Sequence, residues 1–248
     1  MDLSYIPFRF PGLDKVNCYF GTRMGGAEKG PYDNANISLE VGDAPEHVIN
    51  YRRNLQRELG FETWQEVRQV HGPQMIFEPE PTDIAVEGSI EADGIATSCP
   101  GRALIIKTAD CQPILLAHAS GKYVAALHVG WRGNVLHFPT TGVKAFCREY
   151  DLPPEEVLAV RGPSLGPAWS QFVNFHDEFG KNFRDYYDPD TASVDLWRLT
   201  RDQLLAAGVR PSHIFGLDLC TYSLPQLFFS YRRNRNCGRM ASMIWIEK

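Results

Sequence analysis

Three short segments of the 248-residue chain end apolar runs on side chains that can bind a metal or attack an electrophile. They are Gln69-Val70-His71-Gly72, Thr108-Ala109-Asp110-Cys111 and Leu127-His128-Val129-Gly130-Trp131-Arg132-Gly133. Small or turn residues follow His71 and His128, so a ligand can come close to the backbone there. One thiolate and two imidazoles form a three-ligand set suited to Zn²⁺, with a fourth position left for water or substrate. The same atoms also hold copper, so ligand type does not choose the ion. A plainer use stands beside this one: a Cys that ends a core strand is ordinarily a small buried hydrophobe, and a lone His ordinarily packs. Likewise, Gly130-Trp131-Arg132-Gly133 reads either as a tight turn with Trp131 on the core or as a mount for an Arg that reaches an anion.

A second cluster, Phe228-Phe229-Ser230-Tyr231-Arg232-Arg233, interleaves aromatic rings with guanidinium groups. Such a run can stack on a ring while pairing with phosphate or carboxylate, or it can be a core strand with outward Arg. The seven His include no His-x-His pair. A trinuclear copper cluster assembled from such pairs is therefore not expected, and any metal site is small, holding a single ion.

The elements that must position these residues are legible as apolar runs between turn signals. Val16 to Phe20 reads as a strand before the glycines at Gly21, Gly25, Gly26 and Gly30-Pro31. A helix follows, capped by Asp43, with Pro45 in its first turn, Val48, Tyr51, Leu55 and Leu59 on its inner face, and a stop at Gly60. Asn50 and Arg52 are expected to point away from that face. Core strands are expected over Ala103 to Lys107, Pro113 to Ala119 and Tyr123 to Val129, the last two joined as a hairpin at Ser120-Gly121. Helical character returns over Thr140 to Tyr150 and Asp195 to Ala207, with short strands at Val157 to Val160 and Ile214 to Leu217 and a β-rich end from Met240 to Ile246. Hairpins mixed with separated helices predict an α+β fold, and without repeats or a Gly/Ser linker residues 1–248 form a single compact domain.

Composition narrows the partners. A formal net charge of −5, from 25 Lys+Arg and 30 Asp+Glu, offers no global basic field, so nucleic acid is not an expected partner. No run of eighteen apolar residues and no signal-peptide pattern is found, so a soluble protein without a membrane partner is expected. The six Cys are scattered and make no Cys-x-x-Cys pair. That pattern fits a reducing, cytoplasmic compartment rather than a disulfide scaffold.

In order along the chain, several motifs resemble the YfiH-like laccase-domain family, also called the polyphenol oxidase or purine nucleoside phosphorylase family. The resemblance rests on Thr22-Arg23-x-Gly25-Gly26, Gly30-Pro31-Tyr32, Val41-Gly42-Asp43, Asn50-x-Arg52, Gln69-Val70-His71-Gly72 and Ala92-Asp93-Gly94. It continues through Thr108-Ala109-Asp110-Cys111-x-Pro113, His128-x-Gly130-Trp131-Arg132-Gly133, Gly162-Pro163-Ser164-Leu165-Gly166-Pro167, Phe228 to Arg233 and Gly238-Arg239-x-Ala241-Ser242. It implies mixed β-sheets flanked by helices, similar to a Cys/His deamidating toxin domain, and a zinc-type site at His71, Cys111 and His128. It also implies phosphorolysis of adenosine, inosine and methylthioadenosine, adenosine deamination, or copper-dependent polyphenol oxidation. The chain departs from the family at Gln171, where a Glu is usual, at His137-Phe138-Pro139, which moves the expected helix start to Thr140, and at Cys237.

On this reading a zinc-dependent enzyme acts on purine nucleosides. His71, Cys111 and His128 hold the ion, Asp110 manages protons, and Arg52, Arg132 and Arg232 with Asn36 hold phosphate or ribose oxygens. Two alternatives are a copper-dependent phenol oxidase and a hydrolase or amidase in which Cys111 is the nucleophile and His128 its base.

Overall fold

In the computed structural model residues 3–25, 32 and 35–248 are described. Gly26 and Gly30-Pro31, read above as turn and motif residues, lie outside them. The chain begins with an antiparallel pair, β1 (Tyr5–Phe8) and β2 (Val16–Gly21), followed by helix α1 (Pro45–Leu59). Strands β3 (Thr63–Gln65), β4 (Met75–Phe77), β5 (Gly94–Thr97), β6 (Arg102–Thr108), β7 (Gln112–His118) and β8 (Val124–Val129) come next. Then follow α2 (Trp131–Val135), α3 (Phe138–Tyr150), β9 (Val157–Arg161), α4 (Phe175–Glu178), β10 (Tyr187–Asp188), β11 (Ser193–Val194), α5 (Leu196–Ala206), β12 (Ile214–Gly216) and β13 (Met240–Ile246).

The strands form a five-stranded sheet, β1-β2-β13-β6-β3, and a six-stranded sheet, β12-β9-β7-β8-β5-β4, with β10 and β11 as a separate ribbon. Most pairings are antiparallel, while β3 with β6, β4 with β5 and β9 with β12 are parallel, so both large sheets are mixed. Side-chain alternation then decides the layers. Leu104, Ile106, Leu115, Ala117, Val160 and Ile244 meet in one cluster between the sheets. Their neighbours point outward: Ala103, Ile105 and Met243 pack under Tyr51 and Leu55 of α1, and Ile114, Leu116 and Ala159 pack under Phe138, Val143 and Phe146 of α3 and Leu204 of α5. The order of layers is helix, sheet, sheet, helices. Full burial of a Leu or Ile in such a cluster is worth roughly 1.5–3 kcal/mol, so the alternation fixes which face of each strand turns inward.

Three local expectations are corrected. The α1 N-cap is Ala44; the Asp43 carboxylate instead accepts from the Ala44 amide and from Asn36. Arg52 lies on the buried face of that helix rather than away from it. Helix α3 starts at Phe138, not Thr140, because Leu136 and a left-handed His137 (φ 56°) break it from α2 and Pro139 fits its first turn. At the other end of α1, Gly60 takes φ 74° and closes the helix as expected.

Candidate metal centre

Strand register brings the three ligands together. Pro113 pairs with His128 and Gln112 with Val129 across β7 and β8, and the next step of that ladder sets Cys111 against Gly130. Across β5 and β8 Gly94 pairs with Leu127, so the preceding Asp93 faces His128, whose amide donates to the Asp93 carbonyl. His71 arrives on the loop between β3 and β4, in the left-handed region at φ 61°. The ligand atoms of His71, Cys111 and His128 all lie within 4.8 Å of one another. Cys111 Sγ is 3.9 Å from His71 Nε2, and the two imidazole rings meet edge to face at 4.8 Å.

The surroundings set the charge states. The Asp93 carboxylate accepts from His128 Nδ1 at 2.7 Å and from the amides of Val70, His71 and Gly72. Burial pushes Asp93 up, but the His128 proton and these amides outweigh it and hold the carboxyl below its usual range. For His128 burial opposes the charged ring, yet Cys111 and Asp93 raise it to about 9. Burial likewise opposes the Cys111 thiolate, and His128 and His71 overcome it and bring the thiol down to about 6.

These residues fit a metal ion. Tetrahedral zinc with bonds of about 2.0–2.3 Å sets its ligand atoms roughly 3.3–3.8 Å apart, close to the separation of Sγ and Nε2. The space between them is kept open by Gly130: a Cβ there would lie 3.0 Å from Cys111 Sγ and 3.1 Å from His71 Cδ2. The set of one thiolate and two imidazoles suits zinc and is compatible with copper.

The other predicted site residues divide. Arg132, two residues past Gly130, is exposed with its guanidinium 4.3 Å over the Trp131 ring. Trp131 in turn meets Phe172 at 5.8 Å, and Arg232, also exposed, lies 5.8 Å over Phe172 and donates to the Gln171 carbonyl. Asp110, at φ 98°, has both carboxylate oxygens engaged, one by the Thr221 hydroxyl and one by the Arg232 amide. It ties the turn before Cys111 to the Arg232 segment.

Arg52 and Asn36 are not brought to the site. Arg52 is fully buried and donates to the carbonyls of Ile37, Ile84 and Val86 and to Glu66 and Glu87. The Asn36 amide is consumed by Ser38, Asp43 and the Arg239 amide. Neither can contact a substrate while these bonds stand. The sequence reading gave Asp93 no role, although a carboxylate within the apolar stretch Ala92 to Ala96 is a signal, since such a group needs donors. It also passed over Gln112, which donates to Asn134; Asn134 donates in turn to Thr200 and Gln203, pinning α2 and α5 behind the ligands.

Comparison with known proteins agrees with this architecture. Residues 17–247 match the family described as multi-copper polyphenol oxidoreductase laccase, and the chain belongs to that family. Among curated relatives, a purine nucleoside phosphorylase of Pseudomonas aeruginosa is 34% identical, covering 96% of both chains. The purine nucleoside phosphorylase YfiH of Escherichia coli is 35% identical over 96% of this chain and 97% of its own. Among solved structures, YlmD from Geobacillus stearothermophilus superposes with a TM-score of 0.88 at 30% identity, covering 98% of this chain and 96% of that one. For all the multi-copper description of the family, one group of three metal-capable side chains is found among the described residues.

Proposed function

We propose that this chain is a metal-dependent purine nucleoside phosphorylase that carries its ion, zinc in preference to copper, on His71, Cys111 and His128. The observation that carries the reading is the convergence of these three ligand atoms, in a chain with relatives over nearly its whole length that are named for that activity. When bound, the ion supplies a Lewis acid and a concentrated positive charge. The chain's own groups do the rest. Arg132 and Arg232 hold the attacking phosphate by charge-assisted hydrogen bonds, Trp131 and Phe172 keep those guanidinium groups in place, and Asp110 fixes the segment that carries Arg232. A free thiolate is not required for this reaction; Cys111 serves as a ligand. Adenosine deamination is read as a second activity of the same site.

The test is release of free base from inosine or adenosine with and without inorganic phosphate, beside metal analysis of the purified protein. Phosphate-dependent release with about one zinc per chain is expected. Arg132→Ala and Arg232→Ala should each raise the KM for phosphate about 10- to 100-fold while retaining the metal, since a hydrogen bond to a charged group is worth about 1.5–3 kcal/mol. Base release indifferent to phosphate, or copper with no nucleoside turnover, overturns the reading.

One observation favours a second reading. The Cys111, His128 and Asp93 side chains also have the order of a nucleophile, its base and the group that orients the base. A hydrolase of this kind would keep full activity without metal and lose it to a thiol-alkylating agent.

A further inference from the structure

Asp93 is the most heavily used side chain at the centre. Its side chain is inaccessible to solvent, and it receives four N–H donors. Oδ1 accepts from His128 Nδ1 at 2.7 Å and from the His71 amide at 2.9 Å; Oδ2 accepts from the Val70 and Gly72 amides at 3.1 and 2.7 Å. Three successive amides converge on one carboxylate here with His71 in the left-handed region, where a residue with a Cβ is disfavoured. The same oxygen that takes the His71 amide takes the His128 ring proton. That bond leaves Nε2 of His128 as the nitrogen that can ligate.

We propose that Asp93 is the positioning residue of the centre: one carboxylate sets both the backbone turn of His71 and the ring tautomer of His128, so the two imidazoles are presented together. The proposal rests on the metal reading above. It has a chemical corollary. An amide at position 93 has one accepting oxygen, so it can serve one half of this arrangement but not both. With its oxygen on the side of Val70 and Gly72, Asn turns an NH₂ toward His128 Nδ1 and moves the ring proton to Nε2. With the oxygen on the other side, the NH₂ opposes the Val70 and Gly72 amides and releases the turn at His71.

The experiment uses the full chain stripped of metal and titrated with Co²⁺, read by the thiolate-to-cobalt charge-transfer band and by the ligand-field bands. The ring ¹⁵N spectrum of His128 is taken in parallel. Asp93→Asn should keep the fold by circular dichroism, bind cobalt about 10- to 100-fold more weakly, and change the ligand-field intensity as one imidazole is lost. The His71→Ala change should weaken cobalt binding less in an Asp93→Ala background than in the wild type, because the first change has already released that ligand. Wild-type affinity in Asp93→Asn, or strict additivity of the two changes, overturns the proposal. Absence of the thiolate-to-cobalt band in the wild type is a failure of the metal reading instead. The ring spectra of the neutral imidazole then decide: a wild-type proton on Nδ1 that moves to Nε2 in Asp93→Ala upholds the role of Asp93, and a proton on Nε2 in the wild type, or one that stays on Nδ1 in Asp93→Ala, sinks it. If Asp93→Ala fails to fold, the nearly isosteric Asp93→Asn carries the test alone.

Discussion

The group of His71, Cys111, His128 and Asp93 and the group of Arg52, Glu66, Glu87 and Lys107 are both clusters of ionisable side chains at the end of strands, and they are finished differently. In the second, opposite charges are matched and sealed. Arg52 spends its donors on three carbonyls and two carboxylates, and Lys107 pairs with Glu87 and lies 3.8 Å from Glu66. In the first, a thiol and two imidazoles face one another, and His71 is exposed. Complementary charges brought into contact need no further partner. Several electron-pair donors aimed at one point do, and that distinguishes a site from a strut.

The sharpest way to break this contrast is to replace Arg52. Arg52→Met leaves Glu66 and Glu87 facing each other with Lys107 as their one remaining cation in the cluster and should lower stability by about 3–5 kcal/mol in urea unfolding, while the phosphate KM of the folded protein stays within about twofold of wild type. A substrate-binding Arg52 would give the opposite pattern. Next comes Gly130→Val, which the backbone tolerates at φ −80° but which drives a side chain between the ligands. It should reduce kcat/KM about 100-fold, since displacement of a reacting group by about 1 Å has effects of that size.

Glu66 supplies a pH test on the strut. Burial pushes its carboxyl up to about 7 against the pull of Lys107 and Arg52. A carboxyl raised in the folded state favours folding at low pH, and that advantage fades as pH rises from its ordinary value to about 7. Stability of the wild type relative to Glu66→Gln should therefore fall over that interval by on the order of 1–3 kcal/mol and stay level above it, as read from urea midpoints between pH 4.5 and 8.5. On the site side, iodoacetamide should alkylate Cys111 of the metal-free chain with a half-maximal rate near pH 6. The smallest effect is expected at Gln171→Glu. A carboxylate near Arg232 should raise the phosphate KM by no more than about fivefold, and the effect should vanish in high salt, as exposed ion pairs of 0.2–1 kcal/mol do.

Much of this was legible in the chain. The hairpin of β7 and β8 followed from two apolar runs around Ser120-Gly121, α1 from spacing and punctuation such as Pro45 and Gly60, and α5 from the helical character of Asp195 to Ala207. The three ligands were legible because each ends an apolar run where backbone direction changes. What could not be read is pairing between distant segments. The strands β3, β4 and β5, added through parallel pairs of β3 with β6 and β4 with β5, are three or four residues long and carry no periodic signal. The same limit explains Arg52 and Asn36: both belong to motifs, but whether a guanidinium or an amide meets solvent or a ring of carbonyls depends on loops 37–40 and 84–88 folding over it. Asp93 was hidden for a like reason, since its four donors come from His128 and from a loop twenty residues upstream.

The route of the chain gives the centre a mechanical part to play. Cys111 sits where the chain passes from β6 of one sheet to β7 of the other, and His71 sits where it passes from β3 to β4, again from one sheet to the other. An ion held by both, and by His128 on β8, is a rivet through the two plates of the sandwich. Its binding free energy adds to the resistance of those plates to sliding, in proportion to the logarithm of free ion over its dissociation constant. Chelation should then speed amide exchange around Gly72 and Gln112 while leaving exchange at the Gly121 turn, at the far end of β7 and β8, unchanged.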